Sequence, residues 1–179
     1  DEDFDIQQLY NELIHSHQNN GSFDELFGRL KSMDRIAAEN DNYRFRLYYH
    51  FSVNLMAEKE GELALLQTNT QNALAFFDQC KTPLPYTTRW IFLINSLPFY
   101  IENRAYAKAE KTIAECLTLP SKGSYNWHLT LLYKCFYGFQ TNKPQIALNS
   151  LHQSQSKPKK FDSPIIEERW KMIEGYLSL

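Results

Sequence analysis

Long apolar-striped segments restart along this chain at a nearly fixed interval. The starts fall near Phe4, Asn42, Thr87, Tyr125 and Ser163, in steps of 38, 45, 38 and 38 residues. A period of this length, filled by two helices each time, is the signature of stacked helical hairpins. One such hairpin cannot bury its own apolar face, so it leans on its neighbours, and the stack presents a curved surface suited to holding something. The expected fold is all-α: an α-α superhelix, or solenoid, of about four antiparallel helix pairs plus a C-terminal helix. Its 179 residues are enough for one continuous core and so for a single domain, 1–179.

Local signals give each pair its limits. The first is expected over Phe4–His17 and Phe23–Ala38, split by Asn19-Asn20-Gly21-Ser22, with Ser22 and Glu25 spaced as a capping box. The second runs from Asp41 or Asn42 to Glu60, then from Leu63 to Phe77 beyond Gly61. Its first helix carries Leu47, Phe51 and Leu55 on one side and Phe45, Tyr49, Val53 and Met56 on another, as a helix buried between neighbours would. Pro83 and Pro85 close it. The third pair spans Thr87 or Thr88 to Asn103 and Ala105–Leu119. Pro98 lies inside its first helix, where a missing donor and a ring clash predict a kink or a break. The fourth covers Tyr125–Gln140 and Pro144–Gln155. A last helix, Ser163–Leu179, has Asp162 or Ser163 as cap, Pro164 at its first position and an apolar stripe of Ile166, Trp170, Ile173 and Leu177.

Between Tyr100 and Pro120, the residues Tyr100, Tyr106, Ala109, Ile113, Cys116, Leu117, Leu119 and Pro120 stand close to the spacing of one repeat of a known type. Ala147 and Leu151 occupy matching places in the next pair. This stretch resembles the tetratricopeptide repeat family. The resemblance implies that Ala109 is the small residue at which the second helix crosses the first, and that such a chain binds other proteins. The family's carboxylate-binding lysine and asparagine set has no counterpart here, so no clamp for a peptide terminus is implied.

Charge and motif content narrow the function. A net charge of −2 and a pI near 6.2 give no broad attraction for phosphate backbones or anionic lipid. The basic run Lys157-Pro158-Lys159-Lys160 reads as a solvated turn. Cys80, Cys116 and Cys135 are an odd set without a CxxC or CxxH pair, each expected inside a helix as a small buried residue in a reducing compartment. The most apolar segment, Trp90–Ile101, is too short and too polar to span a membrane. Asp1 is not an initiator methionine, so the chain is expected to be a processed product or a piece of a longer protein. His15 and His17, two apart on a helix, point roughly 200° from each other and do not converge on a metal. Phosphate-loop, dinucleotide, nucleophile-elbow and zinc-protease motifs are absent from the sequence. The acidic pairs Asp24-Glu25 and Glu167-Glu168 suit the first turns of helices without catalysis.

One pattern points to a binding surface. Each first helix of the middle three pairs carries a narrow polar strip: Arg46, His50 and Asn54; Thr88, Asn95 and Glu102; Asn126, Thr130 and Lys134. Spacings near four and seven keep each strip on one side of its helix. First helices line the concave side of a solenoid, so the strips are candidates for one groove, with Tyr48, Tyr49, Trp90, Tyr133 and Tyr137 beside them. The plainer reading is that each strip is only the wet side its helix needs. The expected function is a non-enzymatic scaffold, cytoplasmic, that binds a protein or peptide. It is expected to use no cofactor or metal and to contact neither nucleic acid nor membrane, with self-association through the last helix a further expectation. The alternative is a ligand- or peptide-sensing regulatory domain of a larger signalling or transcription-regulating protein.

Overall fold

Proline and glycine punctuation sets the helix boundaries. A computed structural model describes residues 8, 11, 12, 43–80, 85–157 and 159–178. The regular structure of the described residues is entirely helical. Seven helices follow one another: α1 (Tyr43–Glu60), α2 (Leu63–Gln79), α3 (Tyr86–Glu102), α4 (Tyr106–Thr118), α5 (Tyr125–Gln140), α6 (Pro144–Gln155) and α7 (Pro164–Leu177). Pro144 and Pro164 open α6 and α7, where a proline's missing N–H leaves no helical bond unmade. Of the expected first pair, only Gln8, Asn11 and Glu12 are described, all three helical; the Ser22–Glu25 box and His15 and His17 lie outside the described residues.

Three connections repeat one geometry. After α1 the N–H of Glu62 donates to the Ala57 carbonyl at 2.8 Å and that of Gly61 to Glu58 at 3.3 Å. After α3, Ala105 donates to Tyr100 at 2.8 Å and Arg104 to Ile101 at 3.1 Å. After α5, Lys143 donates to Gly138 at 2.8 Å and Asn142 to Phe139 at 3.1 Å. Each is a Schellman cap, which satisfies the helix's last carbonyls and needs one left-handed residue. Gly61, Arg104 and Asn142 supply it at φ 72°, 55° and 54°.

Of the kink or break expected at Pro98, the break does not occur: α3 runs through it to Glu102. Cys80 is not inside a helix either. It is the residue that caps α2 and is half-buried, whereas Cys116 and Cys135 are buried.

Contacts gather the chain into two compact units, Asp1–Leu84 and Pro85–Leu179. In the first, α1 packs on α2. In the second, α3 packs on α4 and α5 on α6, α5 also touches α3 and α4, and α7 rests on α5 and α6. The core of this unit joins Trp127, Leu131 and Cys135 of α5, Ala147 and Leu151 of α6, and Ile166 and Trp170 of α7. The helices α5 and α6 approach so closely at Gly138 that a Cβ there would meet the Ala147 nitrogen at 3.0 Å and the Lys143 carbonyl oxygen at 3.2 Å. Any larger residue there would require α6 to give way by a few tenths of an ångström. Ala109 is likewise fully buried, on α4.

Candidate functional site

In the first unit the polar strip of α1 turns inward. His50 is 4% exposed and Asn54 2%. Both meet Asn69 of α2, whose side-chain amide donates to the His50 carbonyl at 2.8 Å and to Asn54 Oδ1 at 2.6 Å. Those two acceptors fix the orientation of the Asn69 amide. Its oxygen therefore faces His50 Nδ1 at 2.6 Å, and that nitrogen must carry the proton. Asn54 in turn donates to Thr70 Oγ1 at 3.4 Å. Arg46, half-buried, lies over the Phe76 ring at 5.6 Å. Arg46 and His50 share the wall of a cavity of about 520 Å³ with Tyr49, Thr68, Asn69 and Asn72.

In the second unit the strips also lie partly within the packing. Thr130 is fully buried and its hydroxyl accepts from the Trp90 indole N–H at 3.0 Å while donating to the Asn126 carbonyl at 2.8 Å. Thr88 is buried, Asn95 and Asn126 are half-buried, and Glu102 is exposed at the end of α3. Lys134 is half-buried beside a cavity of about 320 Å³ that it shares with Glu110, Leu117 and Ile146. Glu110 accepts the Tyr137 hydroxyl at 2.6 Å and stands 3.7 Å from Lys143 Nζ. Of the nine expected groove residues, His50, Asn54, Thr88 and Thr130 are thus interior, and the observed bonds of three of them tie helix to helix or side chain to backbone. Glu102 is the one fully exposed.

A second feature is an apolar cleft of about 400 Å³ between α5 and α7. Leu129, Leu132, Tyr133 and Phe136 form one wall and Arg169, Met172 and Ile173 the other. Phe136 is 41% exposed and Met172 68%. Spacings of three and four put each wall on one helix face. The stripe Ile166, Trp170, Ile173 and Leu177 of α7 turns toward the core, as expected. The cleft runs along the edge of that stripe, where Ile173 lines it, and onto the neighbouring face of α7, on which Ile165, Met172 and Tyr176 are exposed. Tyr176 reaches back to α5, its ring 4.9 Å from that of Phe139. Ile165 and Tyr176 are legible as apolar residues on the far side of this helix, but the α5 wall is not, because those residues also fit a core stripe.

The titratable groups with clear shifts are interior. Burial pushes the Cys116 and Cys135 thiols up to about 12, which leaves them unreactive as nucleophiles. Burial, and then hydrogen bonding to Glu110, raises the Tyr137 hydroxyl to about 12. Burial lowers His128, with help from the nearby Lys159 charge. His128 lies edge-on to the Trp127, Phe161 and Trp170 rings at 5.1, 5.3 and 6.5 Å, and its Nδ1 meets Ser154 Oγ at 3.2 Å. The basic run is anchored as well as solvated: Lys159 pairs with Glu167 at 3.2 Å and the Lys160 N–H donates to Gly123 at 3.0 Å. Among the described residues, no three His, Cys, Asp or Glu side chains stand close enough to hold a metal ion. No described helix is long and apolar enough to cross a membrane. Comparison of the chain with models of protein families, with curated proteins and with solved structures finds no match.

Proposed function

We propose that this chain is a non-enzymatic binding module, a stack of antiparallel helix pairs akin to tetratricopeptide arrays, which holds a protein or peptide partner. The observation that carries this reading is periodic. The helices α3, α5 and α7 begin at Tyr86, Tyr125 and Pro164, 39 residues apart each time, and touch one another in sequence. The same Schellman cap closes α1, α3 and α5. Helices that recur in register and pack in order suit a repeat array, and the side they share suits a partner. Trp90 and Thr130, hydrogen-bonded across 40 positions, join consecutive first helices one residue off the 39-residue step. The exposed Glu102 and the half-buried Asn95, Asn126 and Lys134 are the strip residues best placed to meet that partner in the second unit. Three free cysteines fit a reducing, cytoplasmic setting.

The second reading, a ligand-sensing regulatory domain of a larger protein, rests on the cavity of the first unit, where Arg46, Asn69 and Asn72 stand beside Tyr49 and Phe76. A few polar groups among aromatic rings suit a small polar ligand. The test is affinity capture with the full chain, followed by reconstitution from purified components. A saturable complex with a protein or peptide supports the module. Retention of nothing but a small molecule transfers the case to the sensor, and turnover of any bound compound overturns both.

A further inference from the structure

The cleft between α5 and α7 stands out for chemistry as well as shape. Arg169 is exposed in an otherwise apolar wall and has no ion-pair partner among the described residues. Of the α7 carboxylates, Glu167 pairs with Lys159 at 3.2 Å and Glu174 accepts from Gln155 at 2.7 Å, while the exposed Glu168, next to Arg169 in sequence, makes no ion pair with it. Ile165, Arg169, Met172 and Tyr176 recur at four, three and four residues, so they share one helix face around this cation. The surrounding unit, Pro85–Leu179, carries twelve Lys and Arg against seven Asp and Glu, a net charge of +5.

We propose that this cleft takes the apolar face of an acidic amphipathic helix from a partner protein, and that a carboxylate of that helix pairs with Arg169. The proposal rests on the binding-module reading and names its site and the chemistry of its partner. Two adjacent helices leave a groove into which a third helix lays side chains spaced three and four apart. A second copy of α7 is a poorer occupant. Paired antiparallel about the middle of its own stripe, it would set Arg169 against Met172 and leave the cation without a counter-charge. An acidic helix supplies that charge, and the positive field of the unit steers it in.

The probe is a peptide of about twelve residues, enough for three turns, held helical by a hydrocarbon staple on its outer face. It carries Leu at positions one, four, five and eight with Glu elsewhere, and it is titrated into the full chain by fluorescence anisotropy. Saturable binding is expected, about tenfold tighter than for the peptide with Lys in place of each Glu, and weaker at higher salt. Arg169→Glu is expected to remove that preference, and Met172→Ser, at a position 68% exposed, to weaken binding without moving the unfolding temperature. Equal affinity for the two peptides, or no change in Arg169→Glu, overturns the proposal. So does equal binding of a proline-interrupted, extended peptide. Capture by vesicles of phosphatidylcholine and phosphatidylserine that Met172→Ser abolishes would give the cleft to a membrane surface instead. A dimer in sedimentation that the same variant dissolves would give it to a second copy. A partner captured by wild type and equally by Arg169→Glu/Met172→Ser sinks this site while leaving the module reading intact, whereas failure of wild type to retain any partner sinks the module reading.

Discussion

The two units hold their helices together with a different balance of polar and apolar contacts. In the first, α1 meets α2 through buried apolar residues such as Val53, Ala57, Leu66 and Ala73 and, among them, a buried chain of amides and an imidazole, His50 to Asn69 to Asn54 to Thr70. In the second, α5, α6 and α7 meet through aliphatic and aromatic side chains around Leu131 and Trp170. Their charges differ in sign as well. The first carries seven Lys and Arg against fourteen Asp and Glu, a net −7, while the second stands at +5. A near-neutral total conceals this contrast. A directional network admits only one register of two helices, since a slip strands every buried donor. An apolar core tolerates small shifts but contributes more to stability for the area it covers.

Five substitutions test that contrast, from the largest effect to the smallest. Leu131→Ala, at a fully buried position of the second unit, is expected to cost about 2–5 kcal/mol in denaturant unfolding. A smaller loss would mean that the core around α5 is loosely packed. Asn69→Ala should cost about 2 kcal/mol, because it strands the His50 imidazole and the Asn54 carbonyl oxygen in the interior. Hydrogen exchange read peptide by peptide should show this loss in α1 and α2. Protection lost equally across α3–α7 would erase the distinction between the units. His128→Leu should alter the acid response. The folded state holds this histidine neutral, below its usual value of 6.5, so its contribution is present above that pH and fades as acid protonates the unfolded chain first. Wild type should therefore lose stability more steeply than the variant as the pH falls from about 6.5, and parallel curves would refute the assignment. Last, Arg104→Gly should raise stability by up to about 1 kcal/mol, since an L side chain is strained at φ 55°. The matching change at Gly61, to Ala, should lower it.

Much of the helical frame was legible beforehand. Proline at the first helical position and apolar stripes at helical spacing marked α5 and α6 to the residue and the others to within two residues or so. The interior was less legible, for physical reasons. A polar strip on one helix is identical in sequence whether it faces water or another polar strip. What turned His50 and Asn54 inward was Asn69, fifteen to nineteen positions away on a helix read only for its apolar side. Gly138 gave no sequence signal either, because the need for it arises only where α6 crosses. Pro98 carried the opposite lesson. A proline disfavours the interior of an isolated helix, yet α3 continues through it with Leu97, Tyr100 and Ile101 buried on either side, and packing of that kind routinely overrides local preference.

The three tryptophans of this chain, Trp90, Trp127 and Trp170, sit one each on α3, α5 and α7, all buried and all in the second unit. Intrinsic indole emission is consequently a one-sided optical probe. It shifts to the red when the aromatic interior of the second unit opens to water and stays silent when α1 parts from α2.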